Sequence, residues 1–191
     1  MAIVVLDLRI ILTMKHIPNA ITALRLILLF PFIIILLNDK FIVALILYLI
    51  MEALDKLDGK IAHWFGISTK IGVFWDAFVD SMTHMTAFIF FFAAGGLHIM
   101  LLLVIIWREF TIIFLRLTSL LVNEPIGSLM IGKAKALIHA ATIAYALWVL
   151  HSKDGDNLFL KIMFYISAGA SIVSGVVYIY KGRAVLKKAF I

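Results

Sequence analysis

Residues 54–84 read LDKLDGKIAHWFGISTKIGVFWDAFVDSMTH. The stretch sets Asp55, Asp58, Asp76 and Asp80 into two otherwise apolar segments. A carboxylate inside a membrane is costly, and four together need cations to stay ionised. On a helix, Asp55, Asp58 and Ala62 fall on one face, three and then four residues apart. Gly72, Asp76 and Asp80 recur every four residues, on one face of the next helix. Two antiparallel helices that turn carboxylate pairs toward each other make a site for hard divalent cations, Mg2+ or Mn2+. The chain contains no cysteine, which excludes thiolate chemistry.

The surrounding composition places these helices in a membrane. The 191 residues are 64% hydrophobic, against about 45–50% for a soluble domain. So much apolar surface cannot be hidden inside one small core. The formal charge is +6 with histidine neutral. Nucleic acid is not an expected partner, because that charge is not gathered on a soluble face. The basic residues read instead as topology signals and anion ligands.

Outward from the aspartates, the pattern predicts six spanning helices of about 20 residues each. Residues 2–15 are apolar but interrupted by Asp7 and Arg9, too short and broken to span. They predict a helix lying in the interface, giving an N-terminal segment 1–16 before a six-helix domain, 17–191. Asn19 is expected to cap a first helix ending near Leu37. The others are expected at 41–63, 70–93, 98–122, 133–151 and 158–180. Glu52 and Lys56, four apart, predict a local ion pair. Lysine and arginine collect on one side of the expected bundle: Arg9, Lys15, Lys70, Lys133, Lys135, Lys181, Arg183, Lys187 and Lys188. Lys40, Lys153 and Lys161 fall on the other. By the positive-inside rule both termini, and the aspartates, face the cytoplasm across the inner membrane.

The spacing Asp55, Asp58-Gly59, Ala62, Gly72, Asp76, Asp80 resembles the pattern D-x2-D-G-x2-A-R-x8-G-x3-D-x3-D. That pattern marks the CDP-alcohol phosphotransferases, integral membrane enzymes of phospholipid synthesis. One position departs: His63 stands where that family has Arg, and a neutral imidazole is a poorer phosphate ligand. Ser81, Trp75 and Leu54 also differ from the usual residues but leave the carboxylates intact. Pro18, Asn19, Thr22, Arg25 and Pro31 resemble the opening of the family's first spanning helix. Arg25 reads either as a snorkelling residue or as an anion ligand facing the site. The resemblance implies two divalent cations held by Asp55, Asp58, Asp76 and Asp80. It implies CDP-diacylglycerol as donor, with the nucleotide near Asp58, Gly59, Ala62, His63 and Gly72. It also implies Asp80 as the base that takes the acceptor's proton, membrane lipids as partners, and a homodimer.

A second set of polar residues follows in apolar surroundings. Arg108-Glu109 and Arg116 lie in the expected fourth helix, and Arg116 falls about 12 Å further toward the cytoplasm than Arg108 at 1.5 Å per residue. Gly132-Lys133-Ala134-Lys135 opens the fifth helix, and Tyr180-Lys181-Gly182-Arg183 closes the sixth. This order is similar to the phosphatidylglycerophosphate synthase branch, whose acceptor is glycerol 3-phosphate. Arg25, Arg108, Arg116, Lys133 and Lys135 are the candidate acceptor ligands, since a phosphate dianion needs cations beside the metal site. Arg108 and Glu109 read alternatively as a buried ion pair. His84, one turn beyond Asp80, reads as a partner of Asp80 or as a packed core residue. Two other readings stay open: the same chemistry on another alcohol (inositol phosphate, phosphatidylglycerol or an amino alcohol), and a cation-transporting helix bundle.

Overall fold

The computed structural model of the chain describes residues 17–64, 69–124, 126–127, 129–154 and 157–190. The expected interfacial helix over 2–15 and the connection at 66–68 lie outside the described residues, as do the side chains of Ala62 and His63. Six α-helices and no strand occur among the described residues: α1 (Ile17–Leu37), α2 (Phe41–Trp64), α3 (Lys70–Ala93), α4 (Ile99–Leu121), α5 (Met130–Ser152) and α6 (Leu158–Phe190).

Three of the six starts are explained by the residues that precede them. Thr69 Oγ1 accepts the Gly72 amide at 2.9 Å and caps α3. His98 Nδ1 accepts the Met100 amide at the start of α4. Asn157 Oδ1 accepts the Leu160 amide at 2.8 Å at the start of α6. Such acceptors satisfy amides that a helix leaves unpaired in its first turn. Three boundaries differ from expectation, and at one of them α5 begins at Met130, three residues early. Helix α1 already includes Ile17, so Asn19 lies in its first turn and not at its cap. Its Oδ1 instead sits 2.8 Å from where a Cβ on Gly72 would be, so the missing side chain at 72 lets α1 and α3 meet closely. Helix α6 runs ten residues beyond position 180. Gly182 does not end it: a Cβ there would come 3.1 Å from Leu115 Cδ2, so this glycine lets α6 pack against α4.

The helices close a ring in the order α1, α2, α5, α6, α4, α3, and α3 also touches α5 across it. Consecutive helices alternate in direction. One end of the bundle therefore gathers the starts of α1, α3 and α5 with the ends of α2, α4 and α6. The core is apolar and aromatic, with Phe32, Tyr48, Phe88, Ile105, Leu147 and Phe164 all buried. The outer faces are apolar as well. Ile27, Phe30, Ile34 and Leu37 stand exposed along α1, and Leu158, Phe159, Tyr165 and Val176 along α6. Surfaces of this kind are stable against lipid and not against water.

Helices α1, α5 and α6 are each long and apolar enough to cross a membrane by length and composition. Helices α2, α3 and α4 carry the charges instead: Glu52, Asp55, Lys56 and Asp58; Asp76 and Asp80; Arg108, Glu109 and Arg116. These three helices supply the acidic residues of the polar site.

Candidate active site

A cavity of about 740 Å³ lies at the end of the bundle where α2 and α4 finish and α3 and α5 begin. The four aspartates form part of its wall and floor. Asp55, Asp76 and Asp80 line it, while Asp58 is buried beneath them at 2% exposure. One oxygen from each of Asp55, Asp58 and Asp76 lies within 4.8 Å of the others. The spacing follows from the sequence: residues three or four apart fall on one helix face, and α2 and α3 both pack against α1.

Arg25 reaches from α1 into this group and is 1% exposed. Its Nη1 donates to Asp55 Oδ1 at 2.5 Å and to Asp76 Oδ1 at 3.0 Å. The same atom is 4.0 Å from Asp58 Oδ2, and Nη2 is 3.8 Å from Asp80 Oδ1. Thr22, one turn before Arg25, donates to Asp58 Oδ2 at 3.1 Å. Asp58 Oδ1 is buried with no hydrogen-bond partner among the described residues. A buried charged oxygen left unpaired is expensive, and a divalent cation would satisfy it. The donor set is all carboxylate oxygen, which suits Mg2+ or Mn2+, and oxygens within 4.8 Å of one another can share a cation bound at about 2.0–2.6 Å. The residues fit the metal.

Glu52, Asp80 and His84 form a second acidic group on the same two helices. The buried His84 places Nε2 3.2 Å from Glu52 Oε1 and 3.8 Å from Asp80 Oδ1. Glu52 therefore pairs across to α3 and not with Lys56 one turn along its own helix; Lys56 turns to the cavity wall. His139 packs its ring against His84 and hydrogen-bonds through Nε2 with Ser171 Oγ at 3.0 Å.

The opposite wall carries the basic residues. Glu109, 1% exposed, is their hub. It accepts from Ser81 Oγ at 2.7 Å and from Arg108 Nη1 at 3.0 Å, and it pairs with Lys135. Arg108 also donates to Ser174 Oγ at 2.7 Å and lies over the Tyr178 ring. Arg108 and Lys135 line the cavity but are held by this internal carboxylate. Arg116 and Lys133 line it too, and neither has an acidic partner among the described residues. Arg116 Nε is buried without a partner among the described residues. Tyr178 Oη accepts the Leu129 amide at 3.1 Å, just before α5, and leaves no room for a side chain at Gly132. Gly59 borders the open cavity, with no atom within 4 Å of a Cβ placed there. Gly72 is not among the lining residues and packs against Asn19 and Thr69.

The family model for CDP-alcohol phosphatidyltransferases matches residues 15–177. The chain belongs to the CDP-alcohol phosphatidyltransferase family. It is therefore a membrane transferase of phospholipid biosynthesis. Two relatives are named CDP-diacylglycerol–glycerol-3-phosphate 3-phosphatidyltransferase. That of Bacillus subtilis (strain 168) is 28% identical over 192 residues, covering 91% of this chain and 98% of the relative. That of Treponema pallidum (strain Nichols) is 26% identical over 141 residues, covering 66% of this chain and 65% of the relative.

Within this phosphatidyltransferase fold, the structure also brings to the cavity residues that the sequence reading had not assigned there. Lys56 and Lys60, one turn apart on α2, line the wall beside Gly59 and stand exposed. Their i, i+4 spacing from Glu52 was the available signal. Ser81 and Tyr178 also line it, and only their tertiary partners, Glu109 and the start of α5, single them out.

Proposed function

We propose that the protein moves a phosphatidyl group from CDP-diacylglycerol to glycerol 3-phosphate, giving phosphatidylglycerophosphate and CMP. The observation that carries this reading is the juxtaposition on one cavity of a carboxylate quartet with two basic side chains, Arg116 and Lys133, that have no acidic partner among the described residues. A neutral alcohol has no use for such cations, whereas a phosphate dianion does. The two relatives named for that reaction support it.

In this reading Asp55, Asp58, Asp76 and Asp80 hold two divalent cations. Those ions would neutralise the donor's diphosphate and favour departure of CMP. Gly59, together with Ala62, His63 and Gly72 by their place in the motif, belongs to the nucleotide side. The open space over Gly59 lets a ligand approach the α2 backbone. The acceptor's phosphate meets Arg116 and Lys133, while Glu109 fixes Arg108 and Lys135 behind them. The acceptor hydroxyl oxygen bonds to the lipid-side phosphorus, the bond from that phosphorus to the CMP oxygen breaks, and the hydroxyl proton passes to Asp80. The protein works as a homodimer in the inner membrane, with both termini and the cavity on the cytoplasmic side, where CMP is released.

The test is CMP release by purified protein given CDP-diacylglycerol and Mg2+ or Mn2+, with glycerol 3-phosphate compared against inositol 1-phosphate, inositol, serine and phosphatidylglycerol. Release that depends on glycerol 3-phosphate is the expected result. Release with another acceptor alone would keep the aspartate reading and discard that of Arg116 and Lys133. Ion flux through the protein without CMP release would favour a transport bundle. Within this reading, Arg116→Gln should raise KM for glycerol 3-phosphate about tenfold or more, with kcat little changed, because it removes one charge-assisted contact made by the bound ground state. An unchanged KM would move the acceptor's phosphate elsewhere.

A further inference from the structure

Arg25 is placed unlike a residue that binds a substrate at the cavity surface. It is 1% exposed, lies outside the cavity lining, and touches Asp55 and Asp76 through one nitrogen, Nη1. Its Nε is buried without a partner among the described residues. An arginine committed to one carboxylate normally uses its fork in two parallel bonds. Here the guanidinium acts as a single positive charge wedged among four negative ones. It also touches the same oxygens that a divalent cation would need, Asp55 Oδ1 and Asp76 Oδ1. A cation bound to those oxygens at about 2.0–2.6 Å would stand within a few ångströms of the guanidinium, and the two positive charges repel.

We propose that Arg25 is the built-in counter-ion of the aspartate quartet, competing with divalent cations for Asp55 and Asp76 and so setting how tightly metal is held. The inference rests on the metal reading of the aspartates given above. As metal leaves, the guanidinium keeps four carboxylates from repelling one another apart. As metal enters, the guanidinium gives up Asp55 and Asp76. Affinity for a divalent ion rises with the number of charged ligands and the rigidity of the site; an internal competitor lowers that affinity and lets occupancy follow metal concentration.

The experiment is Mn2+ binding, read from the EPR signal of free Mn2+, on purified full-length protein without substrate. Wild type is compared with Arg25→Met, which removes the charge, and Arg25→Lys, which keeps it. Arg25→Met is expected to bind Mn2+ about tenfold or more tightly, the effect of removing a unit charge a few ångströms away. Arg25→Lys is expected to stay near wild type. In EDTA, Arg25→Met should unfold at a lower temperature than wild type, and saturating Mn2+ should close that gap. If Arg25 instead served the donor's phosphates, Arg25→Met would leave Mn2+ affinity unchanged, and this overturns the proposal. Should Arg25→Met fail to fold, the wild-type Arg25 guanidinium resonance, assigned by its loss in Arg25→Lys, decides. It should shift as Mg2+ is added, and an unmoved resonance overturns the proposal. Wild type that binds no Mn2+ overturns the metal reading and this inference together. Wild type that binds Mn2+, with no tightening in Arg25→Met, overturns this inference alone.

Discussion

Asp80→Asn is expected to cut CMP release by roughly 10²–10⁴-fold, the usual range for losing a positioned general base. Asparagine keeps the shape and the cavity position but cannot take a proton. The choice of Asp80 among the four rests on geometry. Asp55 and Asp76 are in direct contact with Arg25 at 2.5 and 3.0 Å, and Asp58 is buried beneath the cavity. Asp80 lines the cavity, and its nearest basic neighbours, Arg25 Nη2 and His84 Nε2, both stand 3.8 Å away. It is thus the cavity-lining aspartate with no basic group in hydrogen-bond contact. Ser81 next to it is tied to Glu109, which fixes the α3 backbone at this point. Mn2+ binding should survive in Asp80→Asn, weakened by one lost charge but still supported by Asp55, Asp58 and Asp76. Asp58→Asn should lose binding and turnover together. The comparison of kcat with Mn2+ affinity in the two variants separates a base from a ligand. Asp80→Asn with kcat within tenfold of wild type would place the base elsewhere.

The aspartate site was legible in the sequence because it is local. Four carboxylates at i, i+3 and i, i+4 spacing must fall on two helix faces wherever those helices go; that α1 stands between α2 and α3, with both packed against it, was not legible. Six helices were legible for the same reason: each apolar run is about the length needed to span, and the turns between them carry Asn, Asp or Gly. What the sequence did not reveal is pairing at a distance. Arg25 is an isolated arginine on an apolar helix until α2 and α3 bring Asp55 and Asp76 to it, across 30 and 51 residues. Glu52 had a local partner available in Lys56, yet pairs with His84, 32 residues away. An exposed i, i+4 pair is worth only about 0.2–0.5 kcal/mol, so a buried partner readily displaces it. Gly182 was ambiguous in a different way. A glycine near a helix end reads as a stop, but this one is a contact point, and only the proximity of Leu115 shows which.

Glu109→Gln is expected to destabilise the folded protein by about 3–5 kcal/mol, the cost of breaking a buried ion pair by removing one partner. Glu109 is 1% exposed and Lys135 is 3% exposed, so water reaches little of either charge while the pair is intact. Glutamine keeps a carbonyl for Ser81 but brings no charge to set against Arg108 and Lys135. The effect should appear as a lower unfolding temperature in detergent, with the unfolding still cooperative. Arg108 has other partners: Ser174 and the Tyr178 ring already hold it. Lys135 is paired through Glu109 and faces His139, itself buried, one turn along α5. Most of the loss should therefore trace to Lys135. A second substitution tests this. Glu109→Gln combined with Lys135→Met removes the stranded charge and keeps a long apolar side chain, so it should recover a large part of the stability, because replacing a whole buried pair is often nearly neutral. Recovery of stability without recovery of CMP release would assign Lys135 to the acceptor side of the cavity as well as to the ion pair. A double variant no more stable than Glu109→Gln alone would mean that Glu109 acts chiefly through Ser81, by joining α4 to α3, and not as the counter-charge of Lys135.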